Sequence, residues 1–309
     1  MHIPDNFLSS PVWASLDALA VPAVAVVSRK AQKSTDSNRL PLLGVMGAFV
    51  FAAQMINFPV GMGTSGHLVG GTLLACLLGP WAGALVVTAI LVIQALVFQD
   101  GGVLALGANV INMALMGVLC GYLPALALFR TRWKWYGVFL GGTCSVLASG
   151  ILALAELALS GIRMPVALLE ASLGLFAVNA ILEGAITVSV LRAIERLNPS
   201  AVREEVVRSG RATWSKVIAA LAGVSVVLTA AGVLVASTLP DGLEQVANKL
   251  GMPFGKHPAF RSPISGYQIN SLGGAWFSRA AAGLLGLFLI YVVCALGGHL
   301  LGRMRRSYL

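Results

Sequence analysis

The recurrent long apolar runs constrain this chain more than any other feature. One of them, AGALVVTAILVIQALVF at 82–98, contains no charged residue. A helix of about 20 such residues spans the ~30 Å hydrocarbon core of a bilayer. Runs of this kind predict nine spans, at 10–28, 41–59, 67–80, 82–98, 103–129, 135–160, 165–191, 216–238 and 280–302. Composition agrees: 57% of the 309 residues are hydrophobic and 11% charged, where a soluble domain carries about 25% charged. The predicted fold class is therefore all-α, a polytopic helical membrane protein. The third run is short and ends at Gly79-Pro80. It reads as a tilted or partly re-entrant helix, which a membrane tolerates only where protein or a watery cavity satisfies the backbone.

A net charge of +9 on a soluble protein would suggest nucleic acid, but here the charge is sorted by loop. Arg29, Lys30, Lys33, Arg39, Arg130, Arg132, Lys134, Arg192, Arg196, Arg203, Arg208, Arg211, Lys216, Arg303, Arg305 and Arg306 fall on one side of the predicted spans, sixteen of the 21 basic residues. Cytoplasmic loops carry this excess. The expected location is the cytoplasmic membrane, multi-pass, with the N-terminus outside and the C-terminus in the cytoplasm; no nucleic-acid partner is implied.

The stretch at 192–215 is the one long charged interior segment, with Asn198-Pro199 breaking the helix. It divides the chain into a seven-span module (1–195), a cytoplasmic linker (196–215) and a two-span module with an outside loop (216–309). The pairs Gly117/Gly121 and Gly137/Gly141 have the G-x-x-x-G spacing that permits close helix packing. Cys76, Cys120, Cys144 and Cys294 are scattered singly in apolar segments, which fits small buried residues better than disulfides or a thiolate metal site.

The first two residues, Met-His, carry chemistry of their own. A terminal amine, the backbone nitrogen of His2 and its imidazole can close two fused rings on one metal ion. That set gives three nitrogens in a plane and leaves a fourth corner open. Planar nitrogen sites suit Ni(II) or Cu(II), and their formation releases protons. No signal-peptide pattern precedes the segment, so Met1 is expected to stay as the terminus. Of the remaining histidines, His299 falls on the wrong side and His257 in the loop of the second module. His67, in TSGHLVGG, falls on the N-terminal side and is the natural fourth ligand. Thr64 or Ser65 is expected to cap the helix after it, whose positive end would help keep the imidazole neutral.

MHIPD, TSGHLVGG and FQDGGVLALGANVINMA at 98–114 resemble the substrate-binding membrane component of cobalt/nickel energy-coupling-factor transporters, the CbiM/NikM family. The resemblance covers roughly residues 1–195 and implies Met1, His2 and His67 as metal ligands. Asn6, where the family more often has Gly, and VGMG at 60–63 depart from its pattern. LPDGLEQVANKLG at 239–251 and SPISGY at 262–267 resemble the PDGLE-type small component, an auxiliary of metal loading. That resemblance assigns no ligand to it, and Asp241 reads as a helix N-cap.

Polar groups inside a membrane are functional candidates. Asn109 and Asn112, one turn apart, could brace the N-terminal loop or bond His2; Gln54 and Asn57 could do the same. Interhelical hydrogen bonding is the plainer reading of each. Glu156 and Glu170 are placed to pair with Arg163, and Glu183 with Asn179 forms an i,i+4 face without an assigned role. No P-loop and no H-E-x-x-H motif is present. The resemblance therefore implies a transporter component, not an enzyme, working with a transmembrane coupling subunit and two ATPase subunits. Ala14 and Ala18 give the first span a small face for such a partner. Nickel or cobalt is the expected substrate, with no organic cofactor. A stand-alone secondary nickel/cobalt permease and a membrane metalloenzyme remain as alternatives.

Overall fold

The structure is a computed structural model that describes residues 1–34, 40–199, 214–251, 262–269 and 271–306. His257 and most of the charged linker lie outside the described residues. The helices are α1 (Ser10–Ser34), α2 (Leu40–Gln54), α3 (Gly71–Leu78), α4 (Pro80–Ile93), α5 (Leu106–Asn109), α6 (Val118–Leu128), α7 (Lys134–Leu159), α8 (Val166–Leu197), α9 (Ser215–Val235), α10 (Gly242–Lys249) and α11 (Ala275–Arg306). A π-helical segment, Gln94–Phe98, extends α4, and another, Val110–Gly117, joins α5 to α6. The one sheet among the described residues pairs β1 (Phe58–Gly61) with β2 (Thr64–Gly66).

Among the described residues, seven helices are long and apolar enough to cross a membrane; Pro41–Gln54 is a shorter apolar one. Two predicted spans change shape. The run at 41–59 stops as helix at Gln54 and turns into β1. The run at 67–80 contains only the eight-residue α3, about 12 Å long at 1.5 Å per residue. It is too short to cross alone. Gly79 ends it at φ 84, ψ 157, a conformation closed to residues with a Cβ, and Pro80 then opens α4. Every residue of α3 is buried, so its backbone is shielded by protein.

The glycine pairs act as close-packing surfaces. A Cβ on Gly141 would run into the carbonyl of Gly121, and one on Gly137 would stand 2.8 Å from the Pro124 carbonyl, so α6 and α7 meet backbone to backbone. Deeper in the bundle, Gly142 faces Gly184 of α8. The helices α9 and α11, which follow the charged stretch, pack against α2. Lys30 lies over Trp81, Lys134 pairs with Glu195 at 2.6 Å, and Arg192 lies over Trp135. These cations gather at the end of the bundle where α4 begins. At the far end of α4, its π-helical extension leads through Gln99, at φ 53, into the loop against which the N-terminus rests.

Candidate metal centre

Residues 1–8 fold inward, with Met1, His2 and Ile3 buried at that end of the bundle. Asn109 explains why. Its Oδ1 accepts Ile3 N–H at 2.8 Å and its Nδ2 donates to the Ile3 carbonyl at 3.0 Å, so one amide replaces a strand partner for that residue. Gly102 N–H donates to the same carbonyl at 2.8 Å. Asp5 Oδ1 accepts Leu104 N–H at 2.9 Å, which fastens the loop beyond.

The Met1 amine then lies 2.8 Å from His67 Nε2 and 2.6 Å from Asp241 Oδ2. His67 Nδ1 is 2.9 Å from the Leu68 carbonyl, to which it donates, so Nε2 is the bare nitrogen facing the amine. Burial, reinforced by the positive terminus and by His2, pushes the His67 imidazole down to about 3, keeping it neutral. His2 stacks near His67, ring centres 5.1 Å apart and planes at 17°. Its Nδ1 faces Asp100 Oδ1 at 3.0 Å, while its Nε2 is buried with no partner among the described residues. Burial would raise the Asp100 carboxyl, but His2 and the Tyr267 hydroxyl, which donates to Oδ2 at 2.6 Å, hold it below the usual carboxylate range. Asp241 is likewise held low: burial opposes its ionisation, but the terminal ammonium and the Glu244 N–H it accepts together outweigh that cost. A cavity of about 260 Å³ opens beside His2, lined also by Asp100, Asp241 and Glu244.

Among the described residues, no three His, Cys, Asp or Glu side chains come together as a conventional metal site. What is present is an amine and two imidazoles. Nitrogens about 2.0 Å from a metal stand about 2.8 Å apart along the edge of a square. The amine-to-His67 separation has that length.

The profile of the family described as "Cobalt uptake substrate-specific transmembrane region", CbiM, matches residues 2–201. The chain belongs to the CbiM family. It is similar to a protein of Archaeoglobus fulgidus whose name describes a fused nickel transport protein, NikMN, with 34% identity over 96% of this chain and 97% of that one. It is also similar to the cobalt transport protein CbiM of Acetoanaerobium sticklandii, 32% identical over 62% of this chain and 82% of that one. A solved structure described as a transition metal transporter superposes with a TM-score of 0.57 at 33% identity, covering 68% of this chain and 100% of that one. This CbiM-family chain is thus a multi-pass membrane transport protein of the cobalt/nickel class.

Within that frame, the residues singled out from the sequence part company. Asn109 braces the N-terminal loop. Gln54 Nε2 donates to the Val69 carbonyl at 2.9 Å, and Gln94 donates to Gln54 Oε1 at 2.9 Å, so Gln54 steadies the loop of His67. Asn112 does not reach His2. It donates to Glu156 Oε2 at 2.8 Å, and Glu156 takes this partner instead of Arg163. Asn57 offers its carbonyl to Ser237 N–H at 2.8 Å and lines a neighbouring cavity, away from the histidines. Thr64 and Ser65 cap no helix. They form β2, Thr64 donates to the Gly61 carbonyl, and α3 starts later at Gly71 with Gly70 as an N-cap that has no side-chain bond. Burial, not a helix end, is the leading cause of the neutrality of His67.

Three acidic residues complete the surroundings of these groups. Glu183 accepts Val69 N–H at 2.7 Å and Gly70 N–H at 2.8 Å, satisfying from α8 the donors that α3 leaves free. Asp100 is the single charged residue between Pro41 and Phe129, a sequence signal strong enough to have marked it. Asp241 does cap α10, in a full capping box with Glu244, and it also meets the amine. Its distance along the chain from Met1 hid that second role.

Proposed function

We propose that this chain is the substrate-capturing membrane component of an ATP-driven nickel or cobalt uptake transporter, with Met1, His2 and His67 as the ligands of the ion. The observation that carries the reading is the 2.8 Å approach of the free amine to a bare, buried His67 nitrogen. In the free protein a proton lies between those two nitrogens. The metal takes the place of that proton. His2 contributes its backbone nitrogen, and its Nδ1 completes the plane after leaving Asp100. The free Nε2 of His2 and the cavity beside it support this turn of the ring. The planar nitrogen set favours nickel, and the fused nickel transport relatives support the same preference.

The N-terminus faces outside in this reading, supported by the cations gathered at the other end of the bundle. Planar binding through a deprotonated amide releases slowly, so turnover requires coupling and ATPase subunits to supply free energy. The test is radiolabelled nickel and cobalt uptake into vesicles containing the chain alone, and then with its coupling and ATPase subunits and ATP. Uptake is expected only in the second case. Multiple turnovers by the chain alone would establish the secondary permease instead. In the same vesicles, His67→Ala should lose retained metal while still inserting.

A further inference from the structure

Leu239, Pro240, Asp241 and Tyr267 all reach the surroundings of the proposed centre. Asp241 Oδ2 meets the amine at 2.6 Å. Ser65, two residues before His67, donates its N–H to the Pro240 carbonyl at 2.8 Å and its hydroxyl to the Leu239 carbonyl at 2.7 Å. Tyr267 holds Asp100, the partner of His2. Asp241 divides its oxygens between two tasks. Oδ1 accepts Leu243 N–H and Glu244 N–H, both at 2.8 Å, and Glu244 returns a bond to Asp241 N–H at 2.9 Å. The capping box therefore fixes the carboxylate, and Oδ2 is left for the terminus.

We infer that Asp241 is a positioning residue for metal capture: anchored by the cap of α10, its Oδ2 accepts one N–H of the Met1 amine and turns the amine's remaining valence toward His67 Nε2. This rests on the amine being a ligand. A metal-bound amine keeps two N–H bonds, so the contact survives loading, and an accepting carboxylate raises the basicity of the nitrogen it holds. The second module is then part of the centre, and removing it weakens capture. The sequence resemblance assigns that module no ligand.

The test titrates nickel chloride into the full-length protein in detergent, comparing the parent with Asp241→Asn, Asp241→Ser and His67→Ala. Asn and Ser both cap helices, so α10 is retained. Asn presents an N–H₂ where Oδ2 was, and Ser is too short to reach the amine. Both variants are expected to melt like the metal-free parent, to bind nickel about tenfold or more weakly, and to shift the nickel ligand-field absorption band. If both bind like the parent with an unchanged band while His67→Ala does not bind, Asp241 is only a helix cap and the inference falls. If His67→Ala also binds like the parent, the centre itself is wrong, and the inference goes with it.

Discussion

Glu183 offers the sharpest measure of how far the His67 loop is built in advance. It is 1% exposed, and its two oxygens accept the N–H groups of Val69 and Gly70, two and three residues after the proposed ligand. A hydrogen bond to a charged group contributes about 1.5–3 kcal/mol, and a neutral one about 0.5–1.5. Glu183→Gln keeps one acceptor, now neutral, and sets an N–H₂ against the other N–H. The loss is one charged bond and part of a second, roughly 2–4 kcal/mol, borne by the loop. If half of that cost falls on re-forming the loop around the metal, affinity drops by about 5- to 30-fold, since 1.4 kcal/mol is a factor of about ten. That lies near the 10- to 100-fold typical of lost outer supports. Nickel titration by calorimetry, with the metal-free melting curve alongside, checks it. A Glu183→Gln protein with parental affinity and parental melting would show that the loop holds itself, and the positioning role of Glu183 would be refuted.

Adding one residue before Met1 moves the amine out of its place beside His67 and replaces it with an amide, so metal retention should fall as far as it does on loss of a ligand; intact mass confirms the extra residue. Binding displaces protons from the amine and the amide, so nickel affinity should rise with pH, with proton release measurable in weakly buffered solution. His67 adds a second pH effect on folding. Its value drops from 6.5 to about 3 in the fold, so between those values the unfolded chain binds a proton that the folded chain refuses. Acidification from about pH 6.5 downward should therefore destabilise the metal-free protein, and His67→Ala should flatten that dependence in melting curves. Cysteines placed at Asp36 and Lys256, both outside the described residues, should label from opposite membrane faces.

Sequence alone determined the helices and pointed to the proposed ligands. Apolar runs near the length of a bilayer leave a chain few options other than membrane-spanning helices, and the paired glycines of α6 and α7 already specified close contact. Met1-His2 was legible because its chemistry is local: the chelating atoms belong to two adjacent residues. His67 followed by elimination among four histidines. What holds these groups was not legible. The third run is legible as short and ended by Gly79-Pro80, but hydropathy does not register that its first residues are loop and that Thr64 and Ser65 pair as a strand instead of capping it. Asp100, Glu183 and Asp241 reach the site from the loop after α4, from α8 and from the N-cap of α10, up to 240 positions from Met1. Their roles come from buried charges and unpaired backbone donors finding one another in space. Only the packed bundle decides which acid meets which amine.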